Sequence, residues 1–355
     1  MGFGAAHQTR DGALSLPSEP RDPTMWDLLI LGAGPAGCAA AITARRHGLT
    51  VRMLEASSRP RRVPGETLHP GIEPLFARLG VGEKISEAGF HRHTGINIEW
   101  DSRSHFEPYG EDASGPWRGF QADRQSLATI LVAAAVDAGA DLCRPAHPAS
   151  PVLDGDRLHG IATSDGEKHL ARLTIDATGR HAWLARALGI ASELRSPSLR
   201  ATFGWMKKTP ADGDREPRLV ARPDGWHWIA PLGAERSAWV TLRACRPQDG
   251  STHPEGGIDV SWRMHRPMTG PGYILAGDAA ILLDPASSHG VLRALMSGML
   301  SAEVAAASMN GQLNEGSALA AYRSWMEPQF DHDCQKLRAL YSRHPSNEFA
   351  SLFAA

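Results

Sequence analysis

Three glycine-bearing segments follow one another in a fixed order: Gly32-Ala33-Gly34-Pro35-Ala36-Gly37, Asp176-Ala177-Thr178-Gly179 and Gly277-Asp278-Ala279-Ala280. In the first, Gly32 permits a tight turn, Gly34 lets backbone approach phosphates, and Gly37 allows a helix to pack closely on a strand. With Ala36 they shape a pyrophosphate site at a helix N-terminus. Glu55 can accept hydrogen bonds from a ribose diol, a solvated strand-end acid being the other reading. Asp278 can accept from ribitol hydroxyls. Together the three segments point to FAD rather than to a bare nicotinamide fold.

A second group of candidates surrounds Asp284-Pro285-Ala-Ser-Ser288-His289-Gly290-Val291. Free backbone N–H groups at the start of the helix that follows make an anion site. An isoalloxazine ring ending there would have the negative charge of its reduced form stabilised at N1 and O2. Pro285, Ser288, Gly290 and Val291 are therefore expected at the cofactor; the alternative is a plain loop-to-helix turn. His289 and His93 are the candidate proton handlers, since imidazole titrates near neutrality, although capping or core histidines are commoner. His91 and His93 form a His-x-His pair with no evident third ligand, so no metal site is expected.

The elements that must position these residues are legible in the pattern. Trp26–Leu31 reads as a buried strand, followed by the glycine turn, an alanine-rich helix ending near His47-Gly48, and a strand over 50–55. This is the strand–turn–helix–strand context that the glycine fingerprint requires. Residues 124–139 predict an amphipathic helix. Arg124 lies in its first turn, unfavourably for the helix dipole, which suggests a cofactor phosphate as its partner; an exposed arginine is the competing reading. Thr202–Met206, Trp226–Ile229 and Ala238–Leu242 alternate like antiparallel strands, and Ile96–Trp100 shares their texture. Trp226 and Trp228 should share a face, lining either an aromatic pocket or the core. Tyr322–Tyr341 predicts a helix kinked at Pro328.

Bulk properties exclude some classes. The chain has 355 residues, 42% of them hydrophobic, and a formal charge of −2, enough for a sizeable core and no whole-chain argument for nucleic acid. No run approaches the roughly 20 apolar residues that span a bilayer, and no signal peptide is evident. Cys38, Cys143, Cys245 and Cys334 are scattered, as expected of reduced thiols in a cytoplasm.

The chain resembles the flavoprotein monooxygenase superfamily, in particular the branch holding the flavin-dependent halogenases and the flavoprotein maturases that oxygenate tryptophan in quinone-cofactor enzymes. The resemblance rests on Gly32–Gly37, on Pro64-Gly65-Glu66-Thr67-Leu68-His69-Pro70 and on Gly277–Val291, and it spans most of residues 25–310. Trp226-His-Trp228-Ile-Ala-Pro231 is similar to the halogenase signature of two tryptophans, an isoleucine and a proline. By the same resemblance, amides around His289 and Gly290 would lie where halogenases hold chloride. One departure matters: where halogenases carry a lysine, the stretch Phe90–Ile96 puts His93. A neutral-range imidazole is no permanent ammonium, so hydroxylation ranks above halogenation.

The fold expected from this resemblance is α/β: a Rossmann-like, glutathione-reductase-type FAD-binding domain (25–95, 121–199 and 266–355) with an interleaved antiparallel β-sheet substrate or partner domain (96–120 and 200–265), behind a tail over 1–24. The resemblance further implies FAD reduced by NAD(P)H or an external reductant, O2 as oxidant, and attack on an aromatic ring. The leading substrate is a tryptophan side chain in a partner protein, the precursor of a quinone-cofactor amine oxidase or dehydrogenase. The alternatives are a hydroxylase or halogenase of a small or carrier-bound aromatic, and a non-catalytic flavin-containing binding or scaffold protein.

Overall fold

The computed structural model describes residues 25–59, 66–100, 104–207, 216–233, 235–245 and 257–354. The tail over 1–24 and Pro64-Gly65 of the second resemblance segment lie outside the described residues.

Met25–Leu31 forms the centre of an eight-stranded sheet, parallel to Val51–Leu54 on one side and to Lys168–Asp176 on the other. Leu28, Leu29, Ile30 and Leu31 are completely buried, because a parallel strand covered on both faces needs apolar side chains on both. Tyr273–Leu275 joins the same sheet beside the end of Lys168–Asp176. Three strand ends thereby lead into the three glycine segments.

The helix Pro35–Arg46 starts with proline, whose missing N–H costs nothing there, and ends in Arg45 and Arg46, which suit the negative end of its dipole. Its run from Ala36 to Ala44 is buried. The small side chains let it lie closely against the 20-residue helix Gly290–Met309. Gly298 makes that possible: a Cβ there would stand 2.1 Å from the Ala36 carbonyl oxygen.

Gly290–Met309 corrects the expectation that no segment matches a bilayer span. By length and composition alone it is long and apolar enough, with 67% of its most apolar window buried. Its apolar character serves helix packing inside the protein.

A seven-stranded sheet gathers the aromatic strands: Leu199–Lys207, Arg236–Ala244, Gly225–Pro231 and Arg218–Arg222, with Gly95–Glu99 added in parallel to the last of these. The C-terminal helix is longer than the pattern predicted. It runs from Glu315 to Tyr341 through Pro328, capped by the Asn314 side chain, which accepts from Ser317 N at 2.8 Å.

Candidate active site

The glycine turn is built by backbone crowding. Gly32 has φ of +95°, and a Cβ there would sit 2.5 Å from the Ala177 carbonyl oxygen. Gly37 is as constrained, its Cβ position lying 2.0 Å from the Gly32 oxygen. Gly34 differs: nothing lies within 4 Å of its Cβ position, so glycine there leaves open space in front of the helix start. Glu55 faces this turn, with Oε2 accepting from Ala33 N and Oε1 from Ser57 N, both at 2.8 Å. Each oxygen keeps a lone pair for a further donor.

The second glycine segment acts as a brace. Asp176 is fully buried and accepts from Thr178 N, Thr178 Oγ1 and Leu184 N at 2.6–2.8 Å. Its Ala177 carbonyl is the wall that Gly32 accommodates. The third segment places Gly277 at φ +60°, its N–H donating to Ser297 Oγ at 2.9 Å. Burial pushes the Asp278 carboxyl upward, while the guanidinium groups of Arg293, Arg124, Arg180 and Arg263 pull it down. Arg124 thus shares its surroundings with Asp278, although its side chain starts from an exposed helix end.

The loop into Gly290–Met309 is tied at its base by Asp284. Its fully buried carboxylate accepts from Trp262 Nε1 at 2.6 Å, Ala286 N at 2.8 Å and the Tyr341 hydroxyl at 2.9 Å. Tyr341 also accepts from Trp226 Nε1 at 2.8 Å. Ser288 then adopts a left-handed φ of +51°, unusual for a residue with a side chain. His289 is the helix N-cap without a side-chain capping bond, and the first turn carries no acid. The Gly290 Cβ position is clear to 4 Å, which leaves the start of this helix open beside exposed Pro285 and Ser288.

His289 and His93 are joined by two residues that sequence reading missed. His289 meets the His69 ring at 6.1 Å, His69 meets Tyr109 at 5.1 Å, and Tyr109 meets His93 at 5.4 Å, measured between ring centres. Burial pushes the Tyr109 hydroxyl upward, assisted by the negative charge of Glu216. His93 is 1% exposed, with Nδ1 on the Gly95 oxygen at 3.1 Å and Nε2 by Gln121 Nε2 at 3.4 Å. Burial holds it neutral, its pKa lowered to about 4. His289 is half-buried, its Nδ1 lying 4.0 Å from Asp333, which pairs with Arg293 at 2.8 Å. Burial lowers the His289 pKa and Asp333 opposes that. Asp333 belongs to the C-terminal helix, where no chemical signal was visible in sequence.

Strand register settles the tryptophans. Trp226 and Trp228 share the face carrying Leu242, Val240 and Phe203. Trp226 is core at 1% exposure, whereas Phe203 and Trp205 on that face are 36% and 40% exposed. Trp239 lies on the opposite face, against Gly204 and His227.

These features fit a dinucleotide flavin. Two helix starts offer free N–H groups over cleared glycine positions, and buried Arg293 keeps an Nε without a hydrogen-bond partner in the same region as Asp278. A profile of the FAD dependent oxidoreductase family matches residues 27–198. The chain is similar to FAD-dependent oxidoreductases in sequence as well as in fold. Its relatives include a 1H-pyrrole-2-carbonyl-[peptidyl-carrier protein] brominase of Pseudoalteromonas luteoviolacea, 26% identical, with 84% of this chain and 82% of the relative aligned. Another is a digeranylgeranylglycerophospholipid reductase of Methanosphaerula palustris, 29% identical over 84% of this chain and 81% of that one. Among solved structures, the peptidyl tryptophan dihydroxylase QhpG, essential for tryptophylquinone cofactor biogenesis, shares the fold with a TM-score of 0.74 at 21% identity, covering 93% of this chain and 78% of its own. The chain is also similar to a tryptophan 2-halogenase of Chondromyces crocatus, at 24% identity over 87% of this chain and 66% of that one.

Proposed function

We infer that this oxidoreductase hydroxylates an aromatic ring, and that the ring is a tryptophan side chain of a partner protein in which a tryptophylquinone is being made. The observation carrying hydroxylation over halogenation is His93. At the position where halogenases carry lysine, this imidazole is buried, neutral and engaged at both nitrogens. It cannot hold a hypohalous acid as an ammonium would.

Bound FAD would supply the oxygen-activating chemistry, with NAD(P)H or an external reductant as electron source and O2 as oxidant. Gly32, Gly34, Ala36 and Gly37 would hold the pyrophosphate. Glu55 would take the ribose, Arg124 a phosphate and Asp278 the ribitol, while Pro285, Ser288, Gly290 and Val291 would border the ring. His289, oriented by Asp333, would accept the proton that the ring carbon loses. The half-exposed Phe203 and Trp205 offer an apolar approach for a large aromatic substrate. Likeness to a peptidyl tryptophan dihydroxylase supports a protein-borne substrate.

The test is coexpression with a quinone-enzyme precursor under isotopically labelled O2. Labelled oxygen should appear on the precursor's tryptophan only when this chain is present. Identical precursor masses with and without it defeat the reading. The carrier-linked brominase relative motivates a second reading: bromide in the assay would then yield a brominated small aromatic.

A further inference from the structure

His69 is held in one tautomer. Its Nδ1 accepts the Gly71 N–H at 3.1 Å and so caps the short helix Pro70–Ile72. An imidazole nitrogen that accepts carries no proton, so in the neutral ring the proton must sit on Nε2. Nε2 has no hydrogen-bond partner among the described residues. The ring is half-buried between Tyr109 at 5.1 Å and His289 at 6.1 Å, and burial lowers its pKa. A neutral imidazole with a fixed N–H serves in other enzymes as an electrophilic hydrogen-bond donor.

We propose that His69 presents this fixed Nε2–H to the reacting oxygen as a neutral hydrogen-bond donor, while His289 acts as the base. The inference rests on the hydroxylation reading. Overall, one oxygen atom of O2 enters the ring and the other leaves as water, with two electrons from the reductant. The ring C–H bond breaks, its electron pair returns to the ring, and the proton passes to His289. His69 gives up no proton; its donor hydrogen bond stabilises negative charge that builds on oxygen. Tyr109 is a positioning residue that packs edge-on against the imidazole. The charged and titratable groups facing the pair are Asp333, Arg293 and Lys336 around His289, and Tyr109 beside His69, with His93 and Glu216 beyond it.

Two substitutions separate capping from donation. His69→Asn places an acceptor where Nδ1 was and removes the distal N–H; His69→Gln places an amide N–H where Nε2 was and removes the cap. Donation predicts that Gln retains the wild-type ratio of hydroxylated product to hydrogen peroxide, while Asn lowers both that ratio and the hydroxylation kcat on the order of tenfold or more, with little change in KM. A Gln variant that fails, or an Asn variant that matches wild type, overturns the proposal. Nitrogen-15 NMR of the full chain, with neither substrate nor turnover, should show His69 as the Nε2–H tautomer at neutral pH. A proton on Nδ1 overturns the proposal as well. A wild-type enzyme that hydroxylates nothing while its His69 tautomer stands as described defeats the hydroxylation reading instead.

Discussion

The Tyr341 hydroxyl, at the last residue of the C-terminal helix, donates to Asp284 Oδ1 at 2.9 Å. It joins the helix Glu315–Tyr341 to the base of the loop that leads into Gly290–Met309. Tyr341→Phe would leave Asp284 with one donor fewer and Trp226 Nε1 without an acceptor. Loss of a buried partner costs about 1–3 kcal/mol. Urea unfolding should show that loss, with flavin affinity falling alongside; an unchanged midpoint counts against the link.

Burial pushes the Asp284 pKa up to about 6. A raised acid contributes stability below its unfolded pKa and loses it as pH climbs through the folded one. Relative to Asp284→Asn, the wild type should therefore lose stability between about pH 4 and pH 6. Parallel stability curves for the two proteins speak against it.

His93 acts with the opposite sign. Its folded pKa of about 4 lies below the ordinary value of 6.5, so the unfolded chain binds the extra proton first. Compared with His93→Gln, the wild type should weaken as pH falls through this window, by up to roughly 3 kcal/mol. The imidazole resonance of His93 should titrate near pH 4; a midpoint near 6.5 refutes this account.

Gly34→Ala and Gly37→Ala should part company. The first adds a methyl where the protein has no atom within 4 Å, the second where the Gly32 oxygen stands 2.0 Å away. Gly34→Ala should keep its melting temperature and lose FAD affinity, whereas Gly37→Ala should lose both. Equal losses of stability would show that the space before Gly34 is not a phosphate cradle.

Asp333 raises the His289 pKa while Arg293 lowers it. Asp333→Asn removes the raising charge and leaves Arg293 without its partner. The acid limb of the pH–rate profile should move to lower pH. A limb that stays in place assigns it to another group.

Local sequence determined the parts that depend on backbone conformation and on short-range periodicity. A glycine at Gly32 is needed where φ is +95°, and alternation along Gly225–Pro231 puts Trp226 and Trp228 on one face; both are properties of neighbouring residues. The helix Glu315–Tyr341 was less legible, because Pro328 reads locally as a break while tertiary packing carries the helix through it. Burial of Asp176 and the brace it forms likewise depend on Leu184, which the motif does not contain.

Tertiary structure alone decided the site. His69, Tyr109, His93 and His289 come from separate segments, and Asp333 reaches His289 from a different helix. No spacing rule links such positions, since their contacts exist only after the two sheets and the C-terminal helix have packed. The same packing takes His93 out of water and holds it neutral, which its residue type could not reveal. Residue types told which cofactor the chain suits; desolvation and long-range contact decided which side chains can act beside it.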